Sequence, residues 1–239
     1  MPESHSNLLL ASLSPQSREL LISQSTAVEL PLRARLYESE QIPAYAYFMT
    51  AGIGSVVSSL PDGNSAEVEV IGREGIVGSF HLLGTAVVST NAFIQLEGSA
   101  LRIPLSDLKR AFLSRDDVRG RILELVQGQA LTISQMAACN RVHEAEERLA
   151  RWLLMAQDRT QSEILNFTQE FLAEMLAARR TTVTIVAGSL QRAGLIEYQR
   201  GKVRIVDREN LEAAACDCYQ IAKKLYFSLY KLPLPKLDD

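Results

Sequence analysis

The hydrophobic pattern of this chain changes its period between residues 104 and 116. From about residue 28 to 104, short runs of β-branched and aromatic residues are separated by glycines, a pattern typical of short strands and turns. From residue 116 to 140, apolar residues recur every three or four positions without a proline, which indicates one long amphipathic helix. The change of period therefore predicts an α+β protein in which a strand-rich region precedes a helical one.

The strand-rich region predicts a sandwich, jelly roll or barrel. Its predicted strands cover residues 45–49, 54–60, 66–71, 76–79, 93–96 and 100–103. The sequence at 61–64 predicts a hairpin turn, since Pro61 presets one φ angle and Gly63 supplies a positive one. Ahead of this region, Ser14 followed by Pro15 predicts the start of a short helix.

The long helix is predicted to carry the contact between two subunits. Val118, Ile122, Leu125 and Gln129 begin a mainly apolar stripe that is wider than one small β domain needs. Pairing across a two-fold axis is expected, because symmetric dimers are the commonest oligomers; packing wholly on the chain's own β domain stays open. Asn140 is predicted to cap a second helix over residues 142–157, with a hinge near the break.

The composition argues against a protein that is basic over its whole surface, a membrane-spanning or secreted protein, and a disulfide-linked protein. The formal charge of -3 means that any affinity for nucleic acid must come from a local patch. No apolar run is long enough to span a membrane and no signal peptide is evident, so we expect a soluble, cytoplasmic protein. Three cysteines are too few for a disulfide framework, which agrees with a reducing compartment.

No catalytic or metal site is expected from the sequence. Cys216 and Cys218 are predicted to lie on one helix, where their sulfurs would point about 200° apart, so free thiols are expected. Glu144 to Glu147, with Arg148 and Arg151, predicts a solvated helix face of charged pairs. Since no arrangement of a nucleophile and a base is present, the chain is not expected to be an enzyme and no cofactor is predicted.

Residues 168–206 form a pattern of two helices followed by a hairpin. Thr168 is a predicted N-cap, and a second helix is predicted to start near Arg179 or Arg180. Its buried stripe would comprise Val183, Val186, Ala187 and Leu190, and Arg180, Thr184 and Gly188 would share the opposite face. Gly194 is predicted to end the helix, and Gly201 to turn a pair of strands. A helix-turn-helix with a β wing is suited to the DNA major groove.

The chemistry of this stretch also favours DNA. Six cations face three anions between residues 168 and 206, so the segment carries +3 in a chain of -3. An arginine in the first turn of an inserted helix can donate two hydrogen bonds to guanine O6 and N7. Threonine hydroxyls can reach phosphates or bases, and threonine methyls can contact the methyl group of thymine.

The order of β-roll, long helix, helix-turn-helix and wing resembles the Crp/Fnr superfamily of bacterial transcription regulators over nearly the whole chain. The most specific part runs from Thr168 through Leu195-Ile196. The resemblance implies an α+β fold with a jelly-roll-like β-roll (residues 1–115), a dimerisation helix (116–140) and a winged helix-turn-helix with a C-terminal helix (141–239). It further implies a homodimer on double-stranded DNA at a pseudo-palindromic operator, with RNA polymerase as a partner.

The resemblance places base contacts on Arg180, Thr181 and Thr184 and phosphate contacts on Thr168, Gln169 and Thr182. Arg179 is assigned to phosphate or the turn, and Arg200 and Lys202 belong to the basic patch. Thr181 and Ile185 stand where many members have a glutamate and a second arginine, so the operator is not expected to match the best-known half-site of the family.

The sensor region departs from the nucleotide-binding members. Their Gly-Glu and Arg-Ser pairs align with Gly78-Ser79 and Ser89-Thr90, so cyclic AMP or cyclic GMP is not expected to bind in the usual way. These four residues are the candidates for lining a pocket for another effector, and the absence of any effector also stays open. The N-terminal region has no cysteine for an iron-sulfur cluster, and His81 is read as a core or rim residue rather than a haem ligand. Two alternatives stay open: a protein-interaction module, and a small-molecule sensor with weak or lost DNA binding.

Overall fold

The computed structural model describes residues 7–59, 65–84, 88–160, 162–176 and 178–230. The N-terminal part contains α1 (Leu8–Ala11), α2 (Pro15–Ser23), β1 (Thr26–Leu30), β2 (Arg35–Tyr37), β3 (Tyr45–Ser59), β4 (Ser65–Ile71), β5 (Ile76–Val77), a 3₁₀ turn (Ser79–Leu82), β6 (Thr90–Pro104) and α3 (Leu105–Ser114). The C-terminal part contains α4 (Asp116–Val142), α5 (Ala145–Thr160), β7 (Ile164–Asn166), α6 (Gln169–Met175), α7 (Arg180–Arg192), β8 (Ile196–Gln199), β9 (Lys202–Ile205), α8 (Arg208–Ala214) and α9 (Cys218–Tyr230). No helix in these ranges is long and apolar enough to cross a membrane.

The β-roll is an antiparallel sheet built on two 15-residue strands, β3 and β6. The strand order is β1-β6-β3-β4, with β2 also paired to β6 and β5 to β3. The sequence predicted four short strands where these two long ones lie. Their glycines produce register shifts instead of strand ends: Gly52 has φ 75°, and a Cβ at Gly98 would lie 2.2 Å from the Ala51 carbonyl oxygen. The predicted turn at 61–64 lies outside the described residues.

The short N-terminal helix was predicted correctly. Ser14 caps α2 through its hydroxyl, which accepts from the Ser17 amide, and Pro15 occupies the first helical position. The Ser14 hydroxyl also donates to Asp117 Oδ2 at 2.7 Å, at the start of α4. This contact ties the N-terminal segment to the long helix.

The long helix was predicted, but its end was not. α4 continues through Asn140 to Val142, and α5 begins at Ala145, so the predicted cap at Asn140 and the break near Cys139-Asn140 are wrong. The backbone leaves the helical conformation at His143, whose φ and ψ are -91° and 150°. Val118, Ile122, Leu125 and Gln129 were predicted to begin a stripe for a second subunit, but they are buried within this chain, against the β-roll.

A partner helix for α4 comes from the same chain. α9 packs along α4, and Arg121 of α4 donates to the Leu229 carbonyl at 2.9 Å. Cys218 is the first residue of α9, whereas Cys216 precedes it in the link after α8. The prediction that both cysteines lie on one helix is therefore wrong, and so is the argument that their sulfurs must point apart.

One buried cluster joins the β-roll to the C-terminal region. Ile53 and Leu96 of the sheet pack with residues of α5, α6 and α7. Beside them, Arg159 of α5 forms an ion pair with Glu74 at 2.8 Å, and the two side chains are only 13% and 9% exposed. The Glu74 carboxylate also accepts from the Gly72 amide at 3.0 Å.

We expect Arg159→Ala to destabilise the chain by about 3–5 kcal/mol, because Glu74 would stay buried without its cation. Urea unfolding followed by circular dichroism measures this loss. Arg35→Ala is the matched control, because the Arg35 side chain is 78% exposed in its pair with Glu38 and should change stability by less than about 1 kcal/mol. Equal losses in the two variants would contradict the assignment of Arg159 to a buried pair.

Candidate nucleic-acid interface

The second helix of the helix-turn-helix, α7, is fixed by its apolar side. Val183, Ala187 and Leu190 are buried, and Val186 is partly buried against the same cluster. This agrees with the predicted stripe. Since residues three or four apart share a helix face, burial of this stripe turns the opposite face of α7 outwards.

Both ends of α7 have defined geometry. The helix begins at Arg180, as predicted, and ends in a Schellman motif around Gly194, whose φ is 75°. The Leu195 amide donates to the Leu190 carbonyl and the Gly194 amide to the Gln191 carbonyl, both at 3.0 Å. This motif sends the chain directly into β8 and the wing.

The wing is a hairpin of β8 and β9 with a third strand, β7, that the sequence did not predict. Arg200 and Gly201 form its two-residue turn, with φ angles of 52° and 77°, so both have the positive φ of a type I′ turn. Tyr198 ties the hairpin to the segment just before α6, because its hydroxyl donates to the Phe167 carbonyl at 3.1 Å.

The predicted contact residues of α6 lie against those of α7. Thr168 caps α6 by accepting from the Phe171 amide at 3.2 Å, and the wing glycine Gly201 lies close to its methyl group. The Thr184 hydroxyl lies 2.9 Å from Gln169 Oε1 and 3.0 Å from the Arg180 carbonyl. Thr168, Gln169 and Thr184 therefore form one continuous surface.

Arg180 belongs to the same surface. It is exposed, and it lies near Tyr198 of the wing. Burial raises the pKa of Tyr198 above its ordinary value, and the positive charge of Arg180 opposes this rise. Thr181 is exposed beside Arg180, whereas Thr182 is half-buried. Arg179 precedes the helix and is exposed.

Most cations of this surface form no ion pair with a residue that the structure describes. Arg204 forms an exposed pair with Glu197 at 3.5 Å. Within the described parts of the chain, no ion pair is formed by the other five, Arg179, Arg180, Arg192, Arg200 and Lys202. The geometry can therefore present arginine and lysine side chains to a polyanion without first breaking a salt bridge.

The four predicted pocket residues of the sensor region do not line one cavity. Gly78 packs on Ala46, and the buried Ser79 hydroxyl donates to Gln129 of α4 at 2.9 Å. Ser89 is exposed, and Thr90 is hydrogen bonded to the Tyr37 hydroxyl at 3.1 Å.

A cavity of about 510 Å³ lies elsewhere, between the β-roll and α6, and none of the four predicted pocket residues lines it. Its lining includes Arg33, Arg35, Asn91, Gln95, Phe171 and Glu174.

His81 is a buried residue of the β-roll. Its ring packs edge-on against Tyr37, with ring centres 4.8 Å apart, and burial lowers the pKa of the imidazole. This position agrees with the prediction that His81 is a core or rim residue.

The charged face predicted around residue 147 is only partly present. Arg151 is 5% exposed, and in the described ranges neither Arg148 nor Arg151 forms an ion pair with the neighbouring glutamates. The predicted pairing was wrong because Arg151 faces the core side of α5. The sequence did not predict the methionines and cysteines that surround Arg151, although the spacing of Cys139 and His143 by four residues could have indicated a shared helix face.

Comparison with known proteins agrees with this architecture. Residues 147–214 match the sequence profile of the Crp-like helix-turn-helix domain, so this part of the chain is such a domain. Three similar solved structures are FixK2 from Bradyrhizobium japonicum, a CRP-family transcriptional regulator from Thermus thermophilus, and CLP, a c-di-GMP responsive global regulator from Xanthomonas campestris.

The similarity covers most of each chain. FixK2 gives a TM-score of 0.68 at 16% identity, over 80% of this chain and 98% of its own. The Thermus regulator gives 0.66 at 22% identity, over 79% and 96%, and CLP gives 0.65 at 16% identity, over 80% and 99%. At these identities the likeness shows the fold, which is that of Crp/Fnr regulators. No curated protein sequence compared with the chain matches it.

Proposed function

We propose that this chain is a transcription regulator that binds a two-fold symmetric DNA site as a homodimer and reads bases through α7. The observation that carries the proposal is the outward face of α7, where the exposed Arg180, which forms no ion pair with any described residue, lies next to Thr181 and Thr184. Burial of the opposite stripe fixes this face, so its side chains need little rearrangement to enter a major groove.

The chemistry of the face supports base reading. Arg180, in the first turn of α7, can donate two hydrogen bonds to a guanine. Ile185 is 67% exposed although it is apolar, and on this face it can pack against the methyl group of a thymine. Together, Arg180 and Ile185 favour an operator half-site that combines a guanine with thymines.

The residues around α7 support backbone contacts. Thr168 Oγ1 accepts from the Phe171 amide, which leaves the hydroxyl hydrogen for a phosphate oxygen. Gln169 accepts through Oε1, so its Nε2 can donate. Arg200 and Lys202 of the wing, with Arg179 before α7, supply positive charge at the edges of the surface. RNA polymerase stays a predicted partner.

The dimer contact is assigned to the uncovered side of α4. Leu123 and Leu131 are 45% and 49% exposed, and Ala130 and Ala137 are exposed between and beyond them. Leu123, Ala130 and Ala137 recur every seven residues, which places them on one side of the helix. A second copy packed there would cover this stripe and place two α7 helices in successive major grooves about 34 Å apart.

Selection of random DNA duplexes with the full chain tests the proposal. We expect enrichment of inverted repeats whose half-sites are centred about one helical turn apart, and a binding constant that falls steeply with salt. Analytical ultracentrifugation of the same sample should give a dimer. A folded protein that enriches no two-fold motif would contradict the regulator assignment and favour an interaction module.

A further inference from the structure

The three cysteines of the chain converge on one histidine at the C-terminal end of α4. Cys139 lies in the last turn of α4 and His143 directly follows the helix. Cys216 lies in the link between α8 and α9, and Cys218 opens α9. The three sulfurs and one histidine nitrogen all lie within 4.8 Å of one another.

Two of the distances between these atoms match the edges of one tetrahedral metal site. The Sγ atoms of Cys139 and Cys216 are 3.5 Å apart, and Cys218 Sγ is 3.6 Å from His143 Nδ1. Bond lengths of about 2.3 Å to sulfur and 2.0–2.1 Å to nitrogen give tetrahedral edges of roughly 3.5–3.8 Å. The sulfur pair is much too far apart for a disulfide, which needs about 2.05 Å.

A buried positive charge lies next to these four side chains and could balance the net negative charge of a metal site. Arg151 is 5% exposed, and its guanidinium lies 2.7 Å from Met136 Sδ and 3.3 Å from Met155 Sδ. Among the residues that the structure describes, no carboxylate pairs with it. A buried cation normally requires a counter-charge. A divalent ion with three thiolates and a neutral imidazole carries a net charge of -1, which would balance this arginine.

Polar contacts also orient the ligands. Gln135 Nε2 donates to Cys218 Sγ at 3.2 Å, the kind of outer contact that holds a thiolate in place. The buried Arg151 side chain also lies near both Cys139 and Cys216. The site is buried on its three cysteines and half-buried at the histidine, with four protein ligands and no position left for substrate, as in structural zinc sites.

We propose that Cys139, His143, Cys216 and Cys218 bind one zinc ion that ties α9 to the end of α4. The ion would join two segments more than 70 residues apart in sequence, at the point where the chain passes from α4 into the helix-turn-helix domain. Zinc binding would then contribute directly to folding and hold α9 in place along α4. The site does not depend on the proposed DNA binding.

Metal analysis of the full chain tests the proposal. Protein purified under reducing conditions and passed through a desalting column should retain about one zinc per chain, measured by mass spectrometry of the elements. Replacement of zinc by Co²⁺ should give the visible absorption of a tetrahedral site together with thiolate-to-metal charge transfer. Removal of the metal with a chelator should lower the thermal midpoint, and added Zn²⁺ should restore it.

Variants identify the ligands. Cys139→Ser, Cys216→Ser, Cys218→Ser and His143→Ala should each weaken Co²⁺ binding by more than the roughly 10- to 100-fold that loss of an outer contact causes. Ser134→Ala, on the exposed side of α4 near the site, is the matched control and should bind Co²⁺ normally. Should a cysteine variant unfold, the Co²⁺ spectrum of the unaltered protein still decides the question.

Three results would overturn the zinc assignment. Folded, reduced protein that retains no stoichiometric metal after incubation with Zn²⁺ or Co²⁺ would exclude the site. Iron with acid-labile sulfide in place of zinc would replace the mononuclear ion by a cluster. Unchanged Co²⁺ binding and charge transfer in Cys216→Ser would show that the ion lies elsewhere.

Discussion

Arg180→Ala should weaken binding to the selected operator by about 2–6 kcal/mol. Each of the two half-sites would lose one arginine contact to a base, and such a contact is worth about 1–3 kcal/mol. Preference for the base at that position should relax in parallel. Because Arg180 is exposed and forms no ion pair with any described residue, the thermal midpoint of the variant should stay unchanged. Fluorescence anisotropy with the operator and with a scrambled duplex measures both effects.

Two other variants separate base reading from general electrostatics. Lys202→Ala, in the wing, should weaken binding to every duplex alike and lower the salt slope by about one for each lost phosphate contact. Glu146→Gln, on α5 and away from the interface, should leave affinity unchanged. If Arg180→Ala behaves like Lys202→Ala, with its base preference intact, α7 does not read the sequence through this arginine.

Glu69→Gln should stabilise the folded chain at pH 8 by on the order of 2–4 kcal/mol. Glu69 projects from β4 and is 8% exposed, and its Oε2 has no hydrogen-bond partner among the described residues. Burial raises the pKa of its carboxyl from 4.5 to about 8; a hydrogen bond from Gln129 opposes the rise, and the charge of Glu74 adds to it. The positive charge of Arg159 also opposes the rise in the pKa of Glu69, and the negative charge of Glu67 adds to that rise. The neutral amide of glutamine removes the cost of ionising this group in the folded state.

The direction in which stability changes with pH follows from the protonation of Glu69 in the folded and unfolded chains. Between pH 4.5 and about 8 the folded chain keeps a proton on Glu69 that the unfolded chain has released, so stability falls as pH rises through this window. Urea unfolding at pH 5, 6.5 and 8 should show a smaller fall in Glu69→Gln than in the unaltered chain. A fall should persist in the variant, because burial also raises the pKa of Glu67, to about 7. Glu29→Gln, on the exposed side of β1, is the control, and an identical response in both variants would contradict the assignment.

The helix-turn-helix could be predicted closely because its signals are local. Thr168 as N-cap, the start of α7 at Arg180 and the left-handed glycine at 194 each depend on a few neighbouring residues. The outward face of α7 follows from the same periodicity. The strands were predicted less well, because the lengths of β3 and β6 depend on pairing between distant residues and on bulges at glycines that resemble strand ends in sequence.

The sequence by itself determined the order of the parts: a β-roll, a long helix, and a helix-turn-helix with a basic wing. Hydrophobic period, capping residues and turn residues specify these elements through interactions over a few positions. Only the tertiary structure decided what joins them. It placed α9 on α4, buried Arg151, and brought Cys139 and His143 to Cys216 and Cys218. Contacts across more than 70 residues depend on how whole elements pack, and no local pattern encodes that packing.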